Sequence, residues 1–330
     1  MNLPPSLQLS QADRESMTSL LIEWANINSG SENLEGLNRM LSTLEKEFCR
    51  LPAEMKRLSL PSVRRTDSSG NEVAQLLGEA LHLKCRPTAP LQILFSGHMD
   101  TVYSQHHAFQ RCEIRGSQLH GPGVADMKGG LVVLLKSLEM FEKSPFHDQI
   151  GWEILISSDE EIGSPGSAPF LKEAADRHHL GLVFEASLPN GNLVKNRKGS
   201  GHFKIKVEGK SAHVGRDFSQ GRNAIVALAD FTLRIHQLNG EFAGTILNVG
   251  KINGGTALNV VPHHAEAQLN IRVDRFEEIA NIQNRIHTII QSIESLHEVQ
   301  VQWSGSFNRP PKEITPEIEK AARLSGMKPE

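Results

Sequence analysis

Three short apolar runs, each of strand length and each broken off by a polar cluster rich in acid or histidine, set the tightest limit on how this chain folds. Leu91-Gln92-Ile93-Leu94-Phe95 ends in Ser96-Gly97-His98-Met99-Asp100-Thr101; Trp152-Glu153-Ile154-Leu155-Ile156 ends in Ser157-Ser158-Asp159-Glu160-Glu161; Leu182-Val183-Phe184 ends in Glu185. Segments of helical spacing, such as 127–141, lie between them. Runs that short and that apolar, alternating with helices, belong to strands buried on both faces, and predict an α/β unit with a mostly parallel central sheet. In open sheets of this kind the ligand crevice lies beyond the strand C-termini, where the three clusters fall.

Met17, Leu20, Leu21 and Trp24, followed by Leu34, Leu37, Leu41, Leu44 and Phe48, recur at helical spacing and read as the core stripes of two amphipathic helices. Near residue 199 the character changes. Phe203, Ile205 and Val207 alternate with His202, Lys204 and Lys206, the period of a strand with one solvated face. A helix through Ala224, Leu228, Phe231 and Ile235 comes next. It is followed by a strand through Ala267, Leu269, Ile271 and Val273, a helix through Ile279, Ile282 and Ile286, and a last strand at Val299 and Val301. That order predicts an inserted α+β domain, ferredoxin-like, with helices on one face. The breakers Lys198-Gly199-Ser200-Gly201 and Arg309-Pro310-Pro311 divide the chain into 1–198, 199–309 and 310–330.

A formal net charge of -3 over 330 residues gives no electrostatic reason to expect nucleic acid or an anionic membrane as partner. No basic and apolar leader opens the sequence, and no apolar run is long enough to span a bilayer, so the expectation is a cytoplasmic protein. Cys49, Cys85 and Cys112 form no Cys-x-x-Cys pair. Any metal must therefore be held by histidine and carboxylates.

Asp126 joins the polar clusters from a glycine-rich loop, Gly121-Pro122-Gly123-Val124-Ala125-Asp126, that runs into a helix. One histidine and several converging carboxylates suit zinc or a similar divalent ion, and carboxylates in excess of one ion's needs point to two. Singly, each element is weak. A His-x-Asp is common, a Glu-Glu pair is usually solvated, and the loop lacks the third glycine of a dinucleotide site. Neither a Gly-x-Ser-x-Gly elbow nor a His-Glu-x-x-His helix is present. Two adjacent glutamates on an extended segment would point apart, so that one could bind metal while the other faced water. Asp100 could accept the imidazole N–H that His98 does not offer to metal. The doublets His106-His107, His178-His179 and His263-His264 read as surface residues.

Taken in order, these stretches resemble the zinc-dependent amidohydrolases that include glutamate carboxypeptidase, acetylornithine deacetylase, succinyl-diaminopimelate desuccinylase and aminoacylase. The glutamate carboxypeptidase branch is nearest, through Ser-Gly-His-Met-Asp-Thr-Val and Ser-Asp-Glu-Glu-Ile-Gly-Ser. In the small domain, Gly209-Lys210-Ser211-Ala212-His213-Val214-Gly215 and Asn253-Gly254-Gly255-Thr256-Ala257-Leu258-Asn259-Val260-Val261-Pro262 look like the family's lid and dimerisation motifs.

The resemblance implies a metallopeptidase or deacylase that cuts the amide bond of N-acyl amino acids or dipeptides with a free carboxylate. It implies two zinc ions, with cobalt as a substitute, and a water between them as nucleophile. Asp126 would bridge the metals, His98 and Glu185 would complete one site, and Glu161 would serve the other. Glu160 would be the general base and Asp100 the support of His98. His213 would reach a partner subunit's site in a homodimer formed by the lid domain 199–309, and Asn259 and Arg272 would hold the substrate's carbonyl and carboxylate. In the family a returning segment adds a last histidine to the Glu161 metal, whereas no histidine follows His297 here. The expectation is a C-terminally truncated chain, with a non-catalytic metal-binding or dimerising remnant as the alternative.

Overall fold

The first helix, α1 (Gln11–Ala25), starts where Ser10 and Asp13 each accept a hydrogen bond from the other's backbone N–H, a capping box that satisfies two amides the helix leaves free. The computed structural model describes residues 8–66, 72–188, 190–192 and 194–324, which form two compact units, Met1–Ala186 and Ser187–Glu330. In the first unit α2 (Leu34–Phe48) is capped by the Asn33 side chain and buries Leu37, Met40, Leu41, Leu44 and Phe48 along one face. Five strands follow in one sheet: β1 (Glu54–Leu58), β4 (Ala80–Cys85), β5 (Leu91–His98), β8 (Ile150–Ser157) and β9 (Leu180–Val183). Two hairpins, β2 (Val63–Thr66) with β3 (Glu72–Gln75) and β6 (Glu113–Arg115) with β7 (Gln118–His120), stand apart from it.

The strand order is β1-β4-β8-β5-β9. β8, β5 and β9, the strands whose ends carry the polar clusters, are parallel to one another, while β4 runs against β8 and β1 against β4. The sheet is thus mixed. In β4, Leu81, Leu83 and Cys85 alternate with His82 and Lys84, yet His82 is buried too, against Glu153, so the strand is covered on both faces although it is antiparallel.

On one face of the sheet Leu81, Leu83, Phe95, Trp152, Ile154 and Ile156 pack with Trp24, Leu37, Leu131 and Leu135 of α1, α2 and α3 (Gly129–Phe141). Each such side chain, fully removed from water, stabilises the fold by about 1.5–3 kcal/mol. The other face carries a charge network beside α4 (Ala168–Asp176). Glu153, at the centre of β8 and buried, accepts from Arg177 Nη2 and Nε at 2.5 and 3.1 Å and lies 2.7 Å from His82 Nε2. Burial alone would raise its pKa, but His82 and Arg177 outweigh that and hold it at about 2.

A carboxyl held below its ordinary value contributes its full stability above that value, and the contribution is lost as pH falls through the folded one. For Glu153 the window runs from 4.5 down to about 2. Glu153→Gln is expected to destabilise the first unit by about 1–3 kcal/mol, since it takes the anion from the partly exposed Arg177 guanidinium and weakens the hydrogen bond to the buried His82. Urea unfolding followed by the fluorescence of Trp24 and Trp152 would measure this, and a loss below about 1 kcal/mol would refute it.

The second unit is built on β10 (Gly199–Glu208), β11 (Ile246–Gly254), β12 (His264–Val273) and β13 (Gln300–Arg309), ordered β11-β12-β10-β13 and antiparallel throughout. Helices α5 (Ala224–Gln237) and α6 (Glu278–His297) cover one face, where Leu228, Phe231, Ile286 and Ile290 meet Phe203, Ile205, Val207, Leu269 and Ile271. This is the separate antiparallel sheet that the residue pattern predicts. Outside it, Arg197 and Lys312 bridge backbone to backbone, and Lys195 pairs with Glu319 of α7 (Pro316–Leu324) at 3.2 Å. Among the described residues no helix is long and apolar enough to cross a membrane.

Candidate metal centre

His98 is the last residue of β5, and β8 and β9 flank it as parallel neighbours about 4.8 Å away, so the residues just past each strand end are delivered to one place. The His98 ring is buried, with Nε2 at 3.0 Å from Asp126 Oδ1, 3.5 Å from Glu185 Oε1 and 4.0 Å from Glu160 Oε2. His98, Asp126 and Glu161 each offer a ligand atom within 4.8 Å of the others. The Nδ1 side faces Asp100, 3.0 Å from its backbone carbonyl and 3.2 Å from Oδ1. A carbonyl can only accept, so Nδ1 carries a proton, and Nε2 is the nitrogen turned to the acidic cluster, where a cation would take the place of its proton.

Asp100 does more than orient the imidazole. Its buried carboxylate accepts the N–H of Glu160 at 3.2 Å and of Glu161 at 3.1 Å, together with the Ser31 hydroxyl at 2.8 Å. Glu160–Ile162 form a single 3-10 turn, not the extended segment expected from their position after a strand. Side chains on such a turn still diverge by about 120°, so the two glutamates separate for a different reason. Asp159, buried beside them, accepts the N–H groups of Gly166 and Ser167 at 2.7 and 3.0 Å and closes the loop toward α4.

Asp126 is delivered by the glycine loop. Gly123 takes φ +71°, and a Cβ there would meet the Lys128 and Thr101 side chains at 3.0 and 3.1 Å. The next two residues, both buried, anchor the entry into α3, and the sequence did not single them out. Met127 Sδ accepts the His98 N–H at 3.1 Å, and the Lys128 ammonium donates to the carbonyls of Trp24 and Ile27 at 3.1 and 2.8 Å, at the C-terminal end of α1. Burial pulls the Lys128 pKa down to about 7. Its signal was a lone charge between Met127 and the apolar stretch Leu131-Val132-Val133-Leu134-Leu135.

The acidic groups crowd one another. Burial first, and then the Asp126 charge, push both Glu161 and Glu185 up to about 7, with His98 opposing in each case. For His98 burial works downward, but Asp100, Glu185 and Glu160 outweigh it and raise the ring to about 10. Carboxylates short of positive charge, with one imidazole and no thiolate, are the donor set a divalent cation such as zinc takes.

The remaining candidates lie in the second unit. Val214 N–H donates to the Asn259 carbonyl at 3.0 Å and Val261 N–H to the Ala212 carbonyl at 2.9 Å, so His213 and Asn259 share one exposed pair of loops beyond the end of β10. Arg272 sits near the far end of β12, opposite Ser200 and Ile246, with its Nε donating to Asn270 Oδ1 at 2.8 Å. From His264 to Arg272 the strand extends roughly 26 Å. The unit therefore does not bring Arg272 to His213 and Asn259. Of the histidine doublets, His178 is no surface residue: its imidazole is 4% exposed and faces Glu153 at 3.6 Å, held by the turn that ends α4.

Residues 81–221 match the family described as Peptidase family M28, and residues 196–297 match the Peptidase dimerisation domain. The chain belongs to the M20/M28 peptidase family. Carboxypeptidase G2 of Pseudomonas sp. (strain RS-16) is 28% identical over 273 residues, spanning 82% of this chain and 63% of that protein. Succinyl-diaminopimelate desuccinylase of Hahella chejuensis (strain KCTC 2396) is 32% identical over 251 residues, 69% of this chain and 64% of that one. The chain thus spans less than two thirds of the length of these relatives. Among solved structures, aminopeptidase PepT from Bacillus cereus ATCC 10987 shares the fold with a TM-score of 0.74 at 18% identity, over 96% of this chain and 83% of that one. The M20 family metallo-carboxypeptidase Sso-CP2 from Sulfolobus solfataricus does so at 0.66 and 16%, over 95% and 84%.

Proposed function

We propose that the centre around His98 is that of a metal-dependent amidohydrolase acting on N-acyl amino acids or dipeptides with a free carboxylate. The observation that carries this is the meeting of His98, Asp126 and Glu161 within 4.8 Å, with Glu185 at 3.5 Å from the same imidazole nitrogen. His98, Asp126, Glu161 and Glu185 would hold two zinc ions, with Asp126 between them. Bound zinc polarises a scissile carbonyl and acidifies water.

The chain's own residues supply the rest. Asp100 keeps His98 Nε2 aimed at the cluster. Glu160, half exposed and outside the tight ligand group, takes the proton from the attacking water at a carboxylate oxygen and returns it to the leaving amine. The Arg272 guanidinium suits a substrate carboxylate, which it can meet with its terminal nitrogens while Nε stays on Asn270. His213 and Asn259 suit the oxyanion and the carbonyl. Their distance from Arg272 favours a homodimer through residues 199–309, in which His213 of one subunit serves the other's site.

The names of the relatives, a carboxypeptidase and a succinyl-diaminopimelate desuccinylase, support amide substrates bearing carboxylates. Metal analysis of protein purified without chelator, beside a panel of N-acyl amino acids and dipeptides with added zinc or cobalt, tests the reading. Turnover of at least one amide, abolished by chelator, is expected. Metal uptake without any turnover would reduce the chain to a metal-binding protein, and absence of metal uptake would overturn the proposal altogether.

A further inference from the structure

We infer that Ser31, 69 residues before Asp100 in the chain, is a positioning residue of the metal centre that acts by fixing the Asp100 carboxylate. The inference rests on the reading of His98, Asp126, Glu161 and Glu185 as metal ligands.

Between α1 and α2 the segment Ser29-Gly30-Ser31 lies as a strap along Met99-Asp100-Thr101. Thr101 N–H donates to the Ser29 carbonyl at 3.0 Å, and Ser31 N–H to the Thr101 carbonyl at 3.2 Å. The Ser29 hydroxyl donates to the Met99 carbonyl at 2.7 Å and the Ser31 hydroxyl to Asp100 Oδ2 at 2.8 Å. Both serines are buried. Gly30 lets the strap lie this close, since a Cβ there would stand 2.3 Å from the Tyr103 carbonyl oxygen. The backbone on either side thus sets the place of the Ser31 hydroxyl.

What that hydroxyl holds is the hub of the site. Oδ1 of Asp100 accepts the Glu160 N–H and lies beside His98 Nδ1, while Oδ2 accepts the Glu161 N–H and the Ser31 hydroxyl. Through this one buried carboxylate the imidazole ligand, the turn that presents Glu161 and the proposed base Glu160 share a single reference. A buried anion that loses a donor shifts toward those that remain. Here the remaining donors are the backbone of the two glutamates and the His98 ring, so the shift falls on the ligands themselves.

If Ser31 only packed the loop, its loss would lower stability and leave the metal affinity of the folded protein unchanged. The test uses the 330-residue chain freed of metal and titrated with cobalt(II), read by visible absorption, with circular dichroism and thermal melting of the metal-free protein as folding controls. Ser31→Ala is expected to bind cobalt about 10-fold more weakly or worse, within the 10–100-fold range for outer partners of metal ligands, with an altered absorption band. Ser31→Thr keeps the hydroxyl and restores most of the affinity, whereas Ser31→Val, near-isosteric with threonine, does not. That pair decides the matter if Ser31→Ala fails to fold. Parental affinity in Ser31→Ala, or Thr no better than Val, overturns the inference. A parent chain that takes up no cobalt overturns the reading of the ligand cluster and this inference with it, so the two failures are told apart.

Discussion

Glu160→Gln is expected to keep the full metal content of the protein and to lower kcat for amide hydrolysis by about 10²–10⁴-fold, the range of a lost general base. The substitution preserves size and shape and removes only the carboxylate that would accept the proton. The backbone N–H of Glu160, which donates to Asp100 Oδ1, is untouched, so the turn presenting Glu161 stays in place. Glu160 Oε2 stands 4.0 Å from His98 Nε2, farther than Asp126 at 3.0 Å or Glu185 at 3.5 Å, which places it at the rim of the ligand group. A fall in kcat with KM little changed is what loss of a group acting only in the transition state produces. Metal content by elemental analysis and steady-state kinetics on the same preparation check both halves. Near-parental turnover would remove Glu160 from the mechanism, and loss of metal would make it a ligand.

The part of this site that was legible in the sequence is the part set by chain-local chemistry. His98, Glu160, Glu161 and Glu185 stand just past apolar runs, and Asp126 stands in a glycine loop, because parallel strands end together and a helix start needs a tight turn. What the sequence hid is everything that depends on a second segment arriving from far away. Ser31 is an ordinary loop serine until Asp100 is placed against it, and Lys128 is an ordinary charge until the end of α1 closes over it. His178 and Glu153 looked like surface and strand residues, yet they face one another between the end of α4 and the sheet. Charge buried by tertiary packing leaves no periodicity to read. The fold was easier, because the alternation in β10 and β12 and the helical stripes of α2, α5 and α6 are themselves the burial pattern. The direction of β4 stayed hidden, because five alternating residues, Leu81 to Cys85, do not tell a parallel strand from an antiparallel one.

Asp126→Ala should abolish tight metal binding, with affinity falling by more than the roughly 10–100-fold expected for loss of an outer partner. Asp126 is the carboxylate nearest the His98 Nε2, and its charge is a cause of the raised pKa values of both Glu161 and Glu185. It is thus felt by the ligands proposed for each of the two ions. Two consequences separate this variant from one that merely damages the fold. The Asp126 side chain is 63% exposed, so its removal opens no core cavity, and stability should change by no more than about 0.5 kcal/mol. In the metal-free protein Glu161 and Glu185, both at about 7, should move down toward the ordinary carboxylate value of 4.5, because a neighbouring negative charge has gone. Calorimetric zinc titration measures the first effect, and carboxyl-resolved NMR titration the second. Retention of tightly bound zinc would show that the ions do not depend on Asp126, and an unchanged Glu161 and Glu185 titration would show that its charge does not reach them.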